Sequence, residues 1–493
     1  MKKSALKRTV LVSTAIVLAS NLAACSTKSV DNGNTASSSK NEVTKPQAIN
    51  SMFDSILKPE QGQAKVIEEY KKRTGIDLKI TQPTHNEYYE KLGLAFASGD
   101  IPDVIEISGT TMINYAKNGA LYDMTDLVDK STTMQKVSKL YKDSVKVDGR
   151  MYGFPKASGN GTVTYMRKDW LDANNLQIPK TYDEFINVLK VFADDPDKNG
   201  KKDTVGITSA GLFSDDPTTT PDIYLREFYQ DAYPDFKLVN GKWVDGMTQP
   251  EMKNALERLR QAYSMGVFDK EIITNKTSTC RDKWNAGKVG TFSYWAGMWN
   301  VRLENELKKA VPNASIVAIP PIKGIQYTTR VPSVYAITSA AKNPEGIFKY
   351  LIEYMHDGGE GELLFSRGVE NVHYKITNGK YEMLPSLTDS KTPFDTCFFD
   401  PLLTISQFKD PIAIDPRAEQ SLKVLNDNPQ MAQLLPASEA YTKNSVDLIQ
   451  ARKEIISKIV IGQMTVDEGL EKYKKTNQAI IDLILKEFNA GKK

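Results

Sequence analysis

Residues 63–108 read QAKVIEEYKKRTGIDLKITQPTHNEYYEKLGLAFASGDIPDVIEIS, and this stretch decides the fold. Over Gln63–Thr74, Val66, Ile67 and Tyr70 share one helical face, and Gly75 supplies the stop. Ile76–Thr81 alternates apolar and polar, the period of a strand. Glu87–Ala97 is helical again, with Tyr88, Leu92 and Phe96 on one stripe. Gly99–Pro102 turns the chain and Asp103–Ser108 is a second strand. A helix between two strands returns the chain to the end it left, so the strands run parallel. Ligands of such sheets lie past the C-terminal strand ends. Ser108 and Thr110 stand at that point, either as ligand contacts or as parts of a plain strand-to-helix turn.

Further along, Thr162–Met166 reads as a strand and Thr181 with Glu184 as a capping box. The box opens a helix that buries Phe185, Val188, Leu189 and Phe192. Asn343 with Pro344 starts another helix. Thr465 with Glu468 caps a helix to about Phe488, with Leu470, Tyr473, Ile480, Leu483 and Ile484 facing inward. Helix-like and strand-like periods alternate throughout, which predicts an α/β architecture. The length is that of two or three domains.

The N-terminus sets the compartment. Lys2, Lys3, Lys7 and Arg8 precede the apolar run Val10–Ala19, which is too short to span a bilayer as a mature helix. Leu22-Ala23-Ala24-Cys25 follows, the pattern of a bacterial lipobox. Residues 1–24 are then a signal peptide, and Cys25 carries a diacylglycerol and a further acyl chain, enough for stable anchoring. Residues 25–45, rich in Ser, Thr and Asn, form a tether. The mature chain sits on the outer face of the cell membrane. Processing takes the basic count from 64 to 60 against 61 acidic residues, a net charge of −1. No basic tract points to nucleic acid. Cys280 and Cys397 are read as two buried thiols, and three scattered histidines make a zinc site improbable.

Two stretches carry chemistry. Asp195–Thr204 reads DPDKNGKKDT, with Asp195, Asp197, Asn199 and Asp203 at every second place and Lys201 offering a backbone carbonyl. This is either a structural Ca²⁺ loop or a solvated turn. Gly206 stands where an EF-hand has its bidentate Glu. Thr291–Asn300 reads TFSYWAGMWN and holds two of the five tryptophans. They either fill a core or form a platform.

The chain resembles the family 1 extracellular solute-binding proteins of carbohydrate ABC importers, a group that includes maltose-binding protein. The resemblance rests on FASGDIPDVIEIS, NGALYDMTDLV, DGRMYGFP, YMRKDWLDANNLQIPKTYDEF, WNAGKVGTF, SRGVENVHYKITNGKY and GQMTVDEGLEKY, in that order along the chain. The long form with VENVHY is similar to the Gram-positive oligosaccharide-binding subgroup. The resemblance implies a monomeric, two-lobed α/β fold of the type II periplasmic-binding-protein kind, each lobe a mostly parallel sheet flanked by helices. The N-terminal lobe would hold residues 46–160 and 320–365, the C-terminal lobe 161–319 and 366–493. It implies no catalysis, a carbohydrate ligand in the cleft and a permease partner. It makes Trp295 and Trp299 stacking platforms, since a pyranose offers one face of C–H bonds to an indole. By position it adds Ser108, Thr110, Asn160, Asp215, Asp216, Arg330, Tyr335, Arg367 and Asn371 as ligand contacts, and it favours calcium on the acidic loop. The sequence shows no marked carboxylate pair for a glycoside hydrolase. A non-sugar solute, or a sensory role, remains the alternative.

Overall fold

The structure is a computed structural model. It describes residues 43–490 apart from 55, 215–219, 389, 391–392, 395 and 428–429. The signal peptide, Cys25, most of the tether, Asp215 and Asp216 lie outside the described residues.

The elements used below are, in chain order, β1 (Ala48–Met52), α1 (Gln63–Thr74), β2 (Asp77–Thr81), α2 (Tyr88–Ser98), β3 (Val104–Ile107), α3 (Gly109–Lys117) and β4 (Phe154–Pro155). β5 (Thr162–Arg167), α4 (Tyr182–Asp194), β6 (Val205–Thr208), β7 (Val289–Trp295), α5 (Met298–Ala310) and β8 (Ile316–Ala318) follow. The last are β9 (Thr328–Thr329), β10 (Val334–Ile337), β11 (Gln430–Met431), α6 (Glu439–Val460) and α7 (Val466–Ala490).

Two larger sheets organise the chain. The first has strand order β2-β1-β3-β10-β4, the second β8-β5-β7-β6. Both are mixed. In the first, β1 runs parallel to β2 and β3, while β10 is antiparallel to β3 and β4. In the second, β7 is parallel to β6 and antiparallel to β5. The reason is how the chain travels. β5 and β10 start where the chain passes from one sheet to the other, so each enters its sheet from the edge at which the parallel strands end.

Local signals explain the helices. Gly75 ends α1 at φ +76°, and Val66 and Tyr70 are buried beneath it. The Thr181–Glu184 box opens α4, whose Phe185, Val188, Leu189 and Phe192 are all buried; each contributes about 1.5–3 kcal/mol of burial. The Thr465–Glu468 box is likewise made, Glu468 N donating to Thr465 Oγ1 at 3.2 Å. In α7 the buried stripe is Tyr473, Asn477, Ile481, Ile484 and Phe488. Leu483 is therefore not inward as expected: it lies about 100° from Ile484 on the helical wheel and is 48% exposed.

Two hydrophobic cores form. The first gathers Ile49 to Phe154, Val334 to Phe365 and the outlying Phe394–Ile405 stretch, including Cys397. The second gathers Val163 to Tyr327, including Cys280, and Leu425 to Phe488. Both thiols are free and buried. Leu434 packs on the first core and Leu435 on the second.

Candidate functional site

The parallel strands of each sheet point their C-terminal ends at the segments where the chain crosses. The crossing is a pair of strands of backbone held flush. Arg330 N donates to Asn160 O (2.9 Å), Lys156 N to Ser333 O (2.9 Å), and Gly161 bridges Thr329. A Cβ at Gly159 would lie 1.7 Å from Arg330 O, and one at Gly161 2.3 Å from Thr328 O. Only glycine permits this approach.

Trp295 ends β7 at this crossing and is half-buried. Its carbonyl accepts from Tyr165 Oη at 2.8 Å. Ala296 N donates to Gly161 O at 3.0 Å, and the Asn160 amide reaches Ala296 O at 3.4 Å. The Arg330 guanidinium stands 5.1 Å from the Trp295 ring centroid. Sequence distance thus collapses: Asn160, Trp295 and Arg330 form one cluster, an indole with a cation and an amide beside it.

Trp299, in the first turn of α5, is also half-buried but is held differently. Tyr294 meets its ring edge-on at 4.9 Å, and Arg302 and Arg281 lie 5.1 and 5.6 Å from its centroid. Three side chains already use this ring.

The first sheet presents polar groups. Asp54, two residues past β1, lies with its Oδ2 2.8 Å from His85 Nδ1, and its backbone N donates to Glu106 Oε2 at 3.2 Å. Lys156 Nζ donates to Glu106 Oε1 at 2.8 Å. Burial pushes the Glu106 carboxyl up, opposed by the Lys156 ammonium. Ser108 N-caps α3; its hydroxyl accepts from Tyr89 Oη at 2.8 Å. Thr110 lies in the first turn of that helix.

The other expected contacts fall elsewhere. Tyr335 is fully buried against Phe53 in the first core, where burial raises its phenol well above the ordinary range. It is a core residue because β10 is an interior strand of the first sheet. Arg367 is buried, and both its Nε and Nη2 bond the Asp410 carboxylate. Asn371 is exposed in a turn at φ +62°, its N donating to Tyr374 O. None of the three joins the Trp295 cluster. Asp54, His85, Glu106, Lys156 and Tyr89 were not singled out in the sequence. The usable signal for Asp54 was AINSMFD, a short strand just after the tether.

The acidic loop does not fit a resident cation in this structure. Asp195 accepts from the backbone N of Asn199 and Gly200, Asn199 turns its amide onto Asp197, and Asp203 pairs with Lys288. Among the described residues no group of three or more His, Cys, Asp or Glu comes together as metal ligands. The oxygens the spacing offered are spent on the loop's own turn and on a lysine.

Two cavities open near strand ends. One of 440 Å³ follows β6 and is lined by Phe213, Tyr224, Asn275 and Lys276 among others. One of 550 Å³ adjoins Met52, Thr81, Gln82 and Leu94. Neither is lined by Trp295.

Residues 57–355 match the family described as bacterial extracellular solute-binding protein. That is more than half of the chain, which belongs to this family: it is an extracellular solute-binding protein and not an enzyme. The polygalacturonan/rhamnogalacturonan-binding protein YtcQ of Bacillus subtilis (strain 168) is 25% identical over 84% of this chain and 85% of its own. The diacetylchitobiose binding protein DasA of Streptomyces coelicolor is 31% identical over 63% and 70%. The fold is that of the solved alginate-binding protein AlgQ2, determined without calcium ion: TM-score 0.59, 20% identity, 90% of this chain and 99% of that one.

Proposed function

We propose that this chain is the lipid-anchored receptor of an ABC importer and captures an oligosaccharide in the groove at the crossing. The observation that carries the reading is the Trp295 cluster. An indole and a guanidinium at a strand end supply an apolar face and an edge-directed donor in one place, the two things a sugar ring requires, while the Asn160 amide, bonded to Gly161 N and Ala296 O, holds that strand end in shape. Relatives named for polygalacturonan and diacetylchitobiose support a carbohydrate. Arg330 suits a carboxylated sugar, because guanidinium binds carboxylate in bidentate fashion.

The two cores act as two lobes. Residues 46–160 with 320–365, and 161–319 with 366–493, describe them to first order. Core membership supports moving Ile322–Tyr327 to the second lobe and Phe394–Ile405 to the first. Ligand closes one lobe on the other about the 156–162 and 328–333 segments, and the permease reads the closed form. Cys25 carries the lipid that holds the receptor at the outer face of the membrane.

A thermal-shift screen of the chain against galacturonate oligomers and diacetylchitobiose tests this. A ligand at 100 times its Kd raises stability by about 2.7 kcal/mol. Trp295→Ala removes about 2 kcal/mol or more of that, a loss of the order expected of a stacking hot spot, and leaves the unliganded melting point nearly unchanged. An undiminished shift in the variant overturns the platform.

A further inference from the structure

We infer that Tyr89 is a second, pre-set aromatic platform, placed by Ser108 on the first-sheet lip to stack on another ring of the same ligand; this rests on the carbohydrate reading above. Among the described residues, Tyr89 is the one large aromatic more than a third exposed, at 42%. An exposed tyrosine ordinarily swings freely. This one does not. Its Oη donates to Ser108 Oγ at 2.8 Å and accepts from Ser108 N at 3.1 Å. Tyr88 meets its ring edge-on at 5.4 Å. Two hydrogen bonds to one residue, and a buried neighbour behind, fix both side-chain torsions.

Placement gives the fixed ring its use. Tyr89 opens α2 just past β2, and Ser108 follows β3, so both stand on the edge where the parallel strands end. Asp54 and His85 occupy the same edge, past β1 and β2. A run of contacts links this edge to Trp295: Leu434 covers Gly109, Ala432 N donates to Thr329 O, and Arg330 lies over the Trp295 ring. Each sheet edge therefore carries one half-open or open aromatic, with polar side chains beside it.

The chemistry follows. A hydroxyl that is doubly engaged offers little further hydrogen bonding, so what Tyr89 presents outward is the apolar ring. It suits the C–H face of a pyranose, and the ordering cost of such a contact is already met when the ring is immobilised. One platform on each lip selects ligands of two or more sugar rings over single sugars. Ser108, expected as a direct contact, acts instead as a positioning residue for Tyr89.

Isothermal titration of the full chain with galacturonic acid, trigalacturonate and N,N′-diacetylchitobiose tests the inference, using Tyr89→Ala, Tyr89→Phe and Ser108→Ala. Tyr89→Ala weakens oligosaccharide binding about tenfold or more, the scale of one lost stacking contact, with the unliganded melting temperature unchanged. Tyr89→Phe, which keeps the ring and removes both tethers, weakens binding by about two- to fivefold, and Ser108→Ala, which removes the side-chain tether and keeps the backbone one, by about twofold or less. Wild-type affinity for Tyr89→Ala overturns the platform while leaving the carbohydrate reading standing. A fall in the unliganded melting temperature that matches the affinity loss assigns Tyr89 a structural role and overturns it too. Heat from none of the three sugars with the wild-type chain overturns the carbohydrate reading and this inference together.

Discussion

The two sheet edges that meet at the crossing are built alike and furnished differently. Both end parallel strands there. The second-sheet edge offers Trp295 with Arg330 overhead. The first-sheet edge offers a chain of ionisable groups, His85–Asp54–Glu106–Lys156, and the pinned Tyr89. A sugar needs stacking surface and directional hydrogen bonds at once. If the ligand is the sugar proposed above, dividing these between the two edges means that neither alone would hold it well, and the full contact would form only with the edges together. The contrast between Trp295 and Trp299 makes the same point at short range. Four residues separate them, yet Trp299 is occupied by Tyr294, Arg281 and Arg302.

The largest way to break this comparison is to force the edges apart. Gly159→Ala places a methyl against Arg330 O, which is backbone and cannot swing away. The cost is about 3 kcal/mol or more. Loss of soluble protein, or a melting temperature lower by many degrees, is the expected outcome; a wild-type melt means the crossing is slack.

Next comes a control on pH, read from a buried carboxyl on the helix Glu360–Arg367. Glu362 is buried, with Oε1 lacking a hydrogen-bond partner, and burial pushes its carboxyl up to about 7. Its folded pKa is raised, so its contribution is complete below about 4.5 and is lost as pH rises through about 7. Relative to Glu362→Gln, the wild-type chain therefore loses about 3 kcal/mol between pH 4.5 and 8. Chemical denaturation across that range checks it, and parallel curves for the two proteins would sink the assignment.

Asp54→Ala removes the carboxylate that faces His85 at the first-sheet lip. Ligand affinity falls about tenfold, read by titration; if only the melting temperature moves, Asp54 serves the fold and not the ligand. Trp299→Phe is the smallest effect. Affinity stays within about twofold, while stability drops by about 1 kcal/mol from the lost cation–π contacts. A larger loss of affinity than for Trp295→Ala would reverse the roles given to the two indoles.

What the sequence disclosed was mostly local. Helix α1 with its glycine stop, and the Thr181 and Thr465 boxes, depend on residues within four places of one another. The topology of βαβ units followed from order alone. Of the candidate contacts named from the sequence, Trp295, Asn160 and Arg330 do come together. Tyr335 and Arg367 were placed by position, and burial decided otherwise: one lies on an interior strand, the other is committed to Asp410. Tyr88 and Tyr89 are identical letters side by side, and 100° of helical rotation sends one into the core and the other into solvent. The acidic loop kept its spacing but lost its free oxygens to Lys288 and to its own backbone, partners that spacing does not reveal.

Leu434 and Leu435 are neighbours in the chain but pack against different cores. Their Cα atoms stay about 3.8 Å apart whatever the protein does. That fixed link is a third tie between the two cores. On the proposed closure about the 156–162 and 328–333 segments, the leucine pair would cap how far the halves could part before one of the two side chains left its seat.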